Sequence, residues 1–130
     1  MHDLQPQPLK SLYVEDNDDL REIMALLFAQ DGIQLTVCAS AEEAIALLEK
    51  TSFDLVVTDI NLPGKSGFEL VEHILARQPS MCIIFASALD VDFARLKKNV
   101  RALSKPFTAY DLQRVARDMG SEMIPAKVLK

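Results

Sequence analysis

The side chains in this sequence that are best suited to chemistry each stand at or just after the end of a short apolar run. They are two neighbouring acids, a third acid, a hydroxyl and an amine, namely Glu15, Asp16, Asp59, Ser87 and Lys105. Taken alone, each has an ordinary explanation as a helix-approach acid, a turn residue, a cap or a surface charge. Their shared placement after apolar runs indicates a common site.

Three carboxylates that converge on one crevice repel one another unless a cation lies among them. Oxygen ligands without His or Cys suit a hard divalent ion, so we expect Mg²⁺, with Mn²⁺ as a substitute. Lys105 would then contact a phosphate oxygen, and the Ser87 hydroxyl would donate a hydrogen bond. Asp59 is left as a nucleophile, and carboxylate nucleophiles form aspartyl phosphates. The predicted chemistry is therefore Mg²⁺-dependent phosphoryl transfer to Asp59.

Apolar runs alternate with helical patterns along the chain, and these runs are the predicted strands. They occupy residues 11–14, 34–39, 54–58, 81–86 and 100–103. Several are apolar at consecutive positions, as expected for strands that helices cover on both faces. The alternation predicts a single α/β domain with a parallel, doubly wound sheet. In such a sheet the ligand site lies at the carboxyl ends of the strands, and the five candidate site residues named above are expected at those ends.

Capping residues and apolar stripes in the sequence predict where the helices lie. Ser40 and Ser66 each stand three residues before a Glu, which is the spacing of a capping box, and Thr108 is a third predicted cap. The apolar stripe of the first predicted helix comprises Leu20, Ile23, Met24, Leu27 and Phe28. The fourth predicted helix, over residues 91–98, has a weak apolar stripe, so we expect it to be short or mobile.

Several segments of the chain together resemble the receiver domains of response regulators, as in CheY-like proteins of two-component signalling. They are residues 12–17 (LYVEDN), 54–63 (DLVVTDINLP) with Gly67, 84–88 (IFASA) and 104–107 (SKPF). The most specific part is the Asp-x-x-x-Pro pattern with a Gly eight residues after the Asp, together with the late Lys-Pro. The resemblance extends over about residues 10–119. It implies a flavodoxin-like (βα)5 fold with strand order 2-1-3-4-5.

The resemblance also implies a metal site that binds Mg²⁺. Asp59 would be the phosphoacceptor and a metal ligand. Asp16 would be a direct ligand, and Glu15 a ligand that acts mainly through water. The main-chain carbonyl of Asn61 would be a further ligand.

The same resemblance implies how the domain signals. Ser87 would move towards the phosphoryl group, and Lys105 would be the charge partner of that group. The phosphoryl donor would be a histidine kinase or a histidine phosphotransfer protein. A downstream protein or output domain would contact the face formed by the fourth helix, the fifth strand and the fifth helix. Because Ala102 stands where an aromatic residue is usual, we expect switching to act through the segment after the fourth strand.

Composition excludes other kinds of partner. The formal net charge of −5 and the pI near 5.0 argue against direct nucleic-acid binding, which depends on clustered Lys and Arg. No apolar stretch approaches the roughly 20 residues that span a bilayer, so we expect no membrane segment and a cytoplasmic location. We expect residues 1–8 to be a flexible tail, 9–120 the receiver domain, and 121–130 a tail or the start of a linker.

The two cysteines are predicted to be buried thiols. Cys38 and Cys82 lie in separate apolar runs without a second Cys or a nearby His to build a metal site. In the implied strand order they are three strand positions apart, roughly 14 Å at about 4.8 Å per strand. A disulfide, which needs Cα atoms within about 7 Å, is therefore not expected.

Other classes of protein stay open at this point. A Mg²⁺-dependent phosphatase with an aspartate nucleophile would place a second Asp two residues after the first, where this chain has Asn61. A receiver-like interaction module that is never phosphorylated would not need the acid pair, Asp59 or Lys105. A flavin-binding protein of the same fold would need a phosphate-binding loop that the sequence lacks. We therefore expect a signalling domain, and not an enzyme beyond phosphoryl transfer to itself.

Overall fold

The structure is a computed structural model that describes residues 9–28, 33–87, 99–105 and 107–120. The strands are β1 (Leu9–Val14), β2 (Ile33–Cys38), β3 (Leu55–Asp59), β4 (Cys82–Ser87) and β5 (Val100–Ser104). The helices within these ranges are α1 (Asp18–Phe28), α2 (Ala41–Lys50), α3 (Gly67–Arg77) and α4 (Ala109–Gly120). None of these described helices has both the length and the apolar character needed to span a bilayer. The predicted helix over 91–98 and both predicted tails lie outside the described residues.

The strands form one parallel sheet in the order β2-β1-β3-β4-β5, which confirms the predicted order. The chain returns from β2 to the far side of β1 through α2, as a crossover between parallel strands requires. The central strand β3 is covered on both faces, since Leu55, Val56 and Val57 are all fully buried. This double cover explains why its sequence is apolar at consecutive positions.

Alternate side chains of the strands form two separate cores, because successive residues of a strand point to opposite faces. One core brings the sheet together with α1 and α4, and it includes Tyr13, Val57, Met24, Leu112 and Met119. The other brings the sheet together with α2 and α3, and it includes Leu12, Val56, Ala44, Leu70 and Ile74. The domain is therefore doubly wound, as the sequence predicts.

The predicted caps are present at three helices. At α3, Ser66 and Glu69 form a complete capping box, in which each backbone N–H donates to the other side chain over 3.1 Å. At α4, Thr108 Oγ1 accepts a backbone N–H of the first turn over 3.0 Å. At α2, the Glu43 N–H donates to Ser40 Oγ over 3.2 Å, and the return bond of a full box is absent from the described residues. The Ser40 signal is thus half correct.

Helix α1 has a cap that was not predicted from the sequence, and part of its apolar stripe is exposed. Asn17 Oδ1 accepts the N–H of Leu20 over 2.9 Å and so caps the helix. Of the predicted apolar stripe, Met24 is buried, whereas Ile23 is 51% exposed. Residues one position apart on a helix differ by about 100°, so a narrow contact stripe centred on Met24 leaves Ile23 outside it.

Both cysteines are free and buried, as predicted. Cys38 ends β2 and Cys82 begins β4, with β1 and β3 between these strands. Burial, reinforced by nearby acidic side chains, raises the pKa of each thiol to about 11. Both thiols are therefore protonated and inert at neutral pH.

Candidate phosphoacceptor and metal site

Neighbouring strands end together at the edge of the sheet that holds the site. Val14 pairs in register with Thr58 of β3, so Glu15 and Asp59 each follow at the same level. Asp59 in turn pairs with Ala86 of β4. The parallel register therefore brings residues from distant parts of the chain to one crevice.

Lys105 joins the two strands across that crevice. Its Nζ donates one hydrogen bond of 2.8 Å to Glu15 Oε1 and another of 2.8 Å to Asp59 Oδ2. The Lys105 side chain is 19% exposed, and those of Glu15 and Asp59 are 2% and 14% exposed. Because water screens partly buried charges less than surface charges, this ammonium is held firmly between the two carboxylates.

The same contacts keep Lys105 charged. Burial by itself would lower its pKa, but the hydrogen bonds to Asp59 and Glu15 and the negative charge of both acids outweigh that effect. The pKa of Lys105 is therefore raised above its ordinary value. The site holds a permanent cation at neutral pH.

Glu15 is fixed by donors on each of its oxygens. Oε1 accepts from Lys105 and, over 3.3 Å, from the Tyr13 hydroxyl. Oε2 accepts the backbone N–H of Asn17 over 3.1 Å. Burial of Tyr13, together with the charge of Glu15, raises the pKa of the hydroxyl, which therefore keeps its proton and stays a donor.

Asp16 differs from Glu15 because it is exposed and accepts no hydrogen bond from the described residues. Carboxylate oxygens of Glu15, Asp16 and Asp59 all lie within 4.8 Å of one another. The single ammonium of Lys105 does not balance three carboxylates. An all-oxygen donor set with an open carboxylate fits a hard divalent cation such as Mg²⁺.

Gly67 explains the spacing of eight residues after Asp59. Its N–H donates to the Ile60 carbonyl over 2.8 Å, so the start of α3 folds back onto the end of β3. A Cβ at position 67 would lie 2.1 Å from the Asp59 carbonyl oxygen and 2.9 Å from Ile60 Cα. Backbone atoms cannot move aside cheaply, so only glycine fits here.

The other predicted site residues lie at the same edge of the sheet. Ser87 is the last residue of β4 and pairs in register with Ser104, although its side chain lies outside the described part of the structure. Asn61 is exposed and follows β3 by two residues. Ala102 is exposed on β5 and aligned with Phe85.

The sequence patterns above do not reveal the partners of the acid pair. Besides Tyr13 and Asn17, Arg21 Nη1 donates to the main-chain oxygen of Glu15 over 2.8 Å. The placement of Tyr13 on the same face as Glu15 could have been predicted, because Tyr13 precedes Glu15 by two residues, whereas the hydrogen bond itself depends on side-chain conformation. Arg21 gives no such signal, since an arginine in the first turns of a helix is ordinary.

Comparison with known proteins agrees with this geometry. The family model for the response regulator receiver domain matches residues 12–117. The chain is 34% identical over 111 residues to the transcriptional activator protein PfeR of Pseudomonas aeruginosa, which covers 82% of this chain and 36% of that protein. It spans 25% and 20% of two further curated relatives, so these relatives are much longer than this chain.

Solved structures show the same fold. A response regulator receiver domain protein from Clostridium thermocellum is 27% identical, with a TM-score of 0.75 over 85% of this chain and 92% of that one. The receiver domain of the sensor histidine kinase PA1611 from Pseudomonas aeruginosa is 25% identical, with a TM-score of 0.75 over 87% and 98%. That structure has a magnesium ion coordinated in its active site cleft.

Proposed function

The chain belongs to the response regulator receiver domain family, and we propose that it is a phosphorylation-activated switch whose phosphoacceptor is Asp59. The donor would be a histidine kinase or a histidine phosphotransfer protein. The observation that carries the proposal is the pair of 2.8 Å hydrogen bonds from Lys105 to Glu15 and Asp59. It places a cation beside the carboxylate that would receive a dianionic group.

The proposed reaction is a displacement at phosphorus. A carboxylate oxygen of Asp59 forms the new P–O bond, and the P–N bond to the donor histidine breaks. The leaving imidazole takes up a proton, and the product is an acyl phosphate. Lys105 offsets the charge of the equatorial phosphoryl oxygens, and because it is already in place no reorganisation is needed.

The proposed metal is Mg²⁺, which when bound would neutralise phosphoryl oxygens and align the group with Asp59. Asp16 and Asp59 would be direct ligands, Glu15 would act mainly through water, and Asn61 would contribute its main-chain carbonyl. The exposed, unpartnered carboxylate of Asp16 supports this assignment, because it is the acid of the cluster with no competing donor among the described residues. The magnesium ion in the PA1611 receiver domain supports it further.

We propose that the signal leaves the site through Ser87. Its hydroxyl would move towards the phosphoryl group and draw the following segment with it. The downstream partner would be a protein or an output domain, and the chain would act in the cytoplasm. Because Ala102 has no rotatable side chain, the switch would depend on the backbone after β4 and not on an aromatic ring.

A small phosphodonor such as acetyl phosphate tests the proposal directly. With Mg²⁺, wild type should gain one phosphoryl group by intact mass, and Asp59→Asn should gain none. Asp19→Asn, an exposed acid on α1, is the matched control and should be labelled like wild type. Unlabelled wild type would favour the interaction module, and steady phosphate release from phosphomonoesters would favour the phosphatase.

A further inference from the structure

We infer that Tyr13 is a positioning residue of this site, which holds the Glu15 carboxylate when Lys105 turns to the phosphoryl group. The inference rests on the proposed function, because it concerns the protein with a phosphoryl group on Asp59. Tyr13 would not touch that group. It would act through Glu15, from the buried side of the sheet.

The strand geometry places the two side chains together. Tyr13 and Glu15 are two residues apart at the end of β1, so they lie on one face of the sheet. Each is 1% exposed, and the Tyr13 ring belongs to the core that includes Met24 and Leu112. Its hydroxyl reaches Glu15 Oε1 over 3.3 Å. A buried tyrosine whose hydroxyl bonds a site carboxylate does more than fill the core.

The need for Tyr13 comes from competition for Lys105. Without a phosphoryl group on Asp59, the ammonium donates hydrogen bonds to both Glu15 Oε1 and Asp59 Oδ2, each over 2.8 Å. A phosphoryl group on Asp59 brings several acceptor oxygens, which would draw Lys105 towards them. Glu15 Oε1 would then lose its charged donor, and a buried carboxylate oxygen without a donor is costly. Among the described residues, Tyr13 is the remaining donor to that oxygen.

The test compares Tyr13→Phe with Tyr110→Phe, which removes the same hydroxyl from an exposed ring on α4. Two affinities are measured by calorimetry: that for Mg²⁺ alone, and that for beryllofluoride, a phosphoryl mimic, at saturating Mg²⁺. Tyr13→Phe should weaken beryllofluoride binding about three- to tenfold, which is the range for the net contribution of an ordinary hydrogen bond. The affinity for Mg²⁺ alone should change less than about twofold, because without a group on Asp59 Lys105 still donates a hydrogen bond to Glu15. Tyr110→Phe should change neither.

The difference between the two affinities separates positioning from structure. If Tyr13 only supported the fold, Tyr13→Phe would lower the affinities for Mg²⁺ and for beryllofluoride by the same factor. An equal loss of both affinities, or no loss of either, overturns the inference. In that case, binding of beryllofluoride by the wild-type protein still supports the proposed function. If wild type itself fails to bind beryllofluoride, both are overturned.

A second measurement uses the wild-type protein and does not depend on how a variant folds. The chain has two tyrosines, so ring-labelled tyrosine gives two Cζ signals, which Tyr110→Phe assigns. Beryllofluoride with Mg²⁺ should shift the Tyr13 signal more than Mg²⁺ alone, as the bond to Glu15 strengthens. An unchanged Tyr13 signal in the beryllofluoride-bound protein contradicts the inference.

Discussion

At the scale of single residues, the site is organised around one shared cation. Lys105 Nζ reaches carboxylates 90 and 46 positions away in the sequence, and it does so at 2.8 Å in each case. Water screens these ion pairs less than it screens surface ion pairs, because all three side chains are mostly buried. The consequence is a preformed positive charge beside Asp59, where negative charge would accumulate in the proposed reaction.

The two acids that follow β1 should contribute unequally to metal binding. Both Glu15 oxygens already accept hydrogen bonds, whereas Asp16 is exposed and accepts none from the described residues. Asp16→Asn should therefore weaken Mg²⁺ binding at least about tenfold, and Glu15→Gln only about two- to threefold. Calorimetric titration of each variant measures this. Wild-type affinity in Asp16→Asn would remove Asp16 from the metal site.

The site acids and Lys105 were predictable from the sequence, whereas their hydrogen bonds were not. Residues at the carboxyl ends of neighbouring parallel strands lie close together whatever their side-chain conformations are, so the strand order that the resemblance implies brings Asp59 and Glu15 together. The bond from Tyr13 to Glu15, by contrast, depends on rotamers and on how far a ring reaches. Arg21 also contacts the Glu15 main chain, which no spacing pattern encodes.

At the scale of elements, the turn from β3 into α3 sets the position of the phosphoacceptor. Gly67→Ala would place a Cβ 2.1 Å from the Asp59 carbonyl oxygen, a backbone atom that can yield only if Asp59 moves. We expect a loss of about 3 kcal/mol or more in the free energy of unfolding, together with slower labelling of Asp59. Urea denaturation and intact mass measure the two effects.

Gly64→Ala in the same turn is the matched control. Gly64 has φ +76°, and a Cβ added there would lie 2.9 Å from Glu42 Oε2, the end of a flexible side chain. The expected cost is only about 1–2 kcal/mol, from the left-handed backbone, with labelling of Asp59 preserved. Equal losses of stability and labelling in the two variants would show that close approach to Asp59 is not what position 67 requires.

Local signals predicted helix starts better than helix faces. Ser66 and Thr108 are caps as expected, because capping depends on residues within one turn. Ile23 belongs to the apolar stripe but is exposed, because apolar spacing gives the centre of a stripe and not its width, which depends on the neighbouring elements.

At the scale of the whole molecule, the sheet is covered on both faces, and this much follows from runs of consecutive apolar residues. The alternation of strands and helices predicts a parallel sheet but leaves the strand order open. The order 2-1-3-4-5 came from the resemblance to receiver domains, and the structure confirms it. That order determines which strand ends lie beside Asp59.

The buried thiols should make the domain less stable as the pH rises above 9. Cys38 and Cys82 have pKa values of about 11 in the folded protein, above the ordinary 9.0. A raised acid pKa means that the unfolded chain loses its proton first, so stability is complete below pH 9 and falls between pH 9 and 11. Each thiol should account for up to about 3 kcal/mol of that fall.

Urea midpoints across this pH range measure the effect, with the Cys38→Ala, Cys82→Ala double variant as the comparison. Tyr13 and Lys105 also titrate in alkali, but they are common to both proteins and cancel. The double variant should show a shallower decline with pH. An identical decline would mean that the two thiols ionise as readily in the folded protein as in the unfolded chain.

Locating the phosphoryl group on the chain shows whether Asp59 is the phosphoacceptor. After incubation with acetyl phosphate and Mg²⁺, borohydride reduces an acyl phosphate of aspartate to homoserine, releasing phosphate, and peptide mass spectrometry then identifies the modified position. We predict homoserine at position 59 and at no other acid. Homoserine at another position in wild type, or none in protein that has gained the phosphoryl mass, would contradict the assignment of Asp59 as the phosphoacceptor.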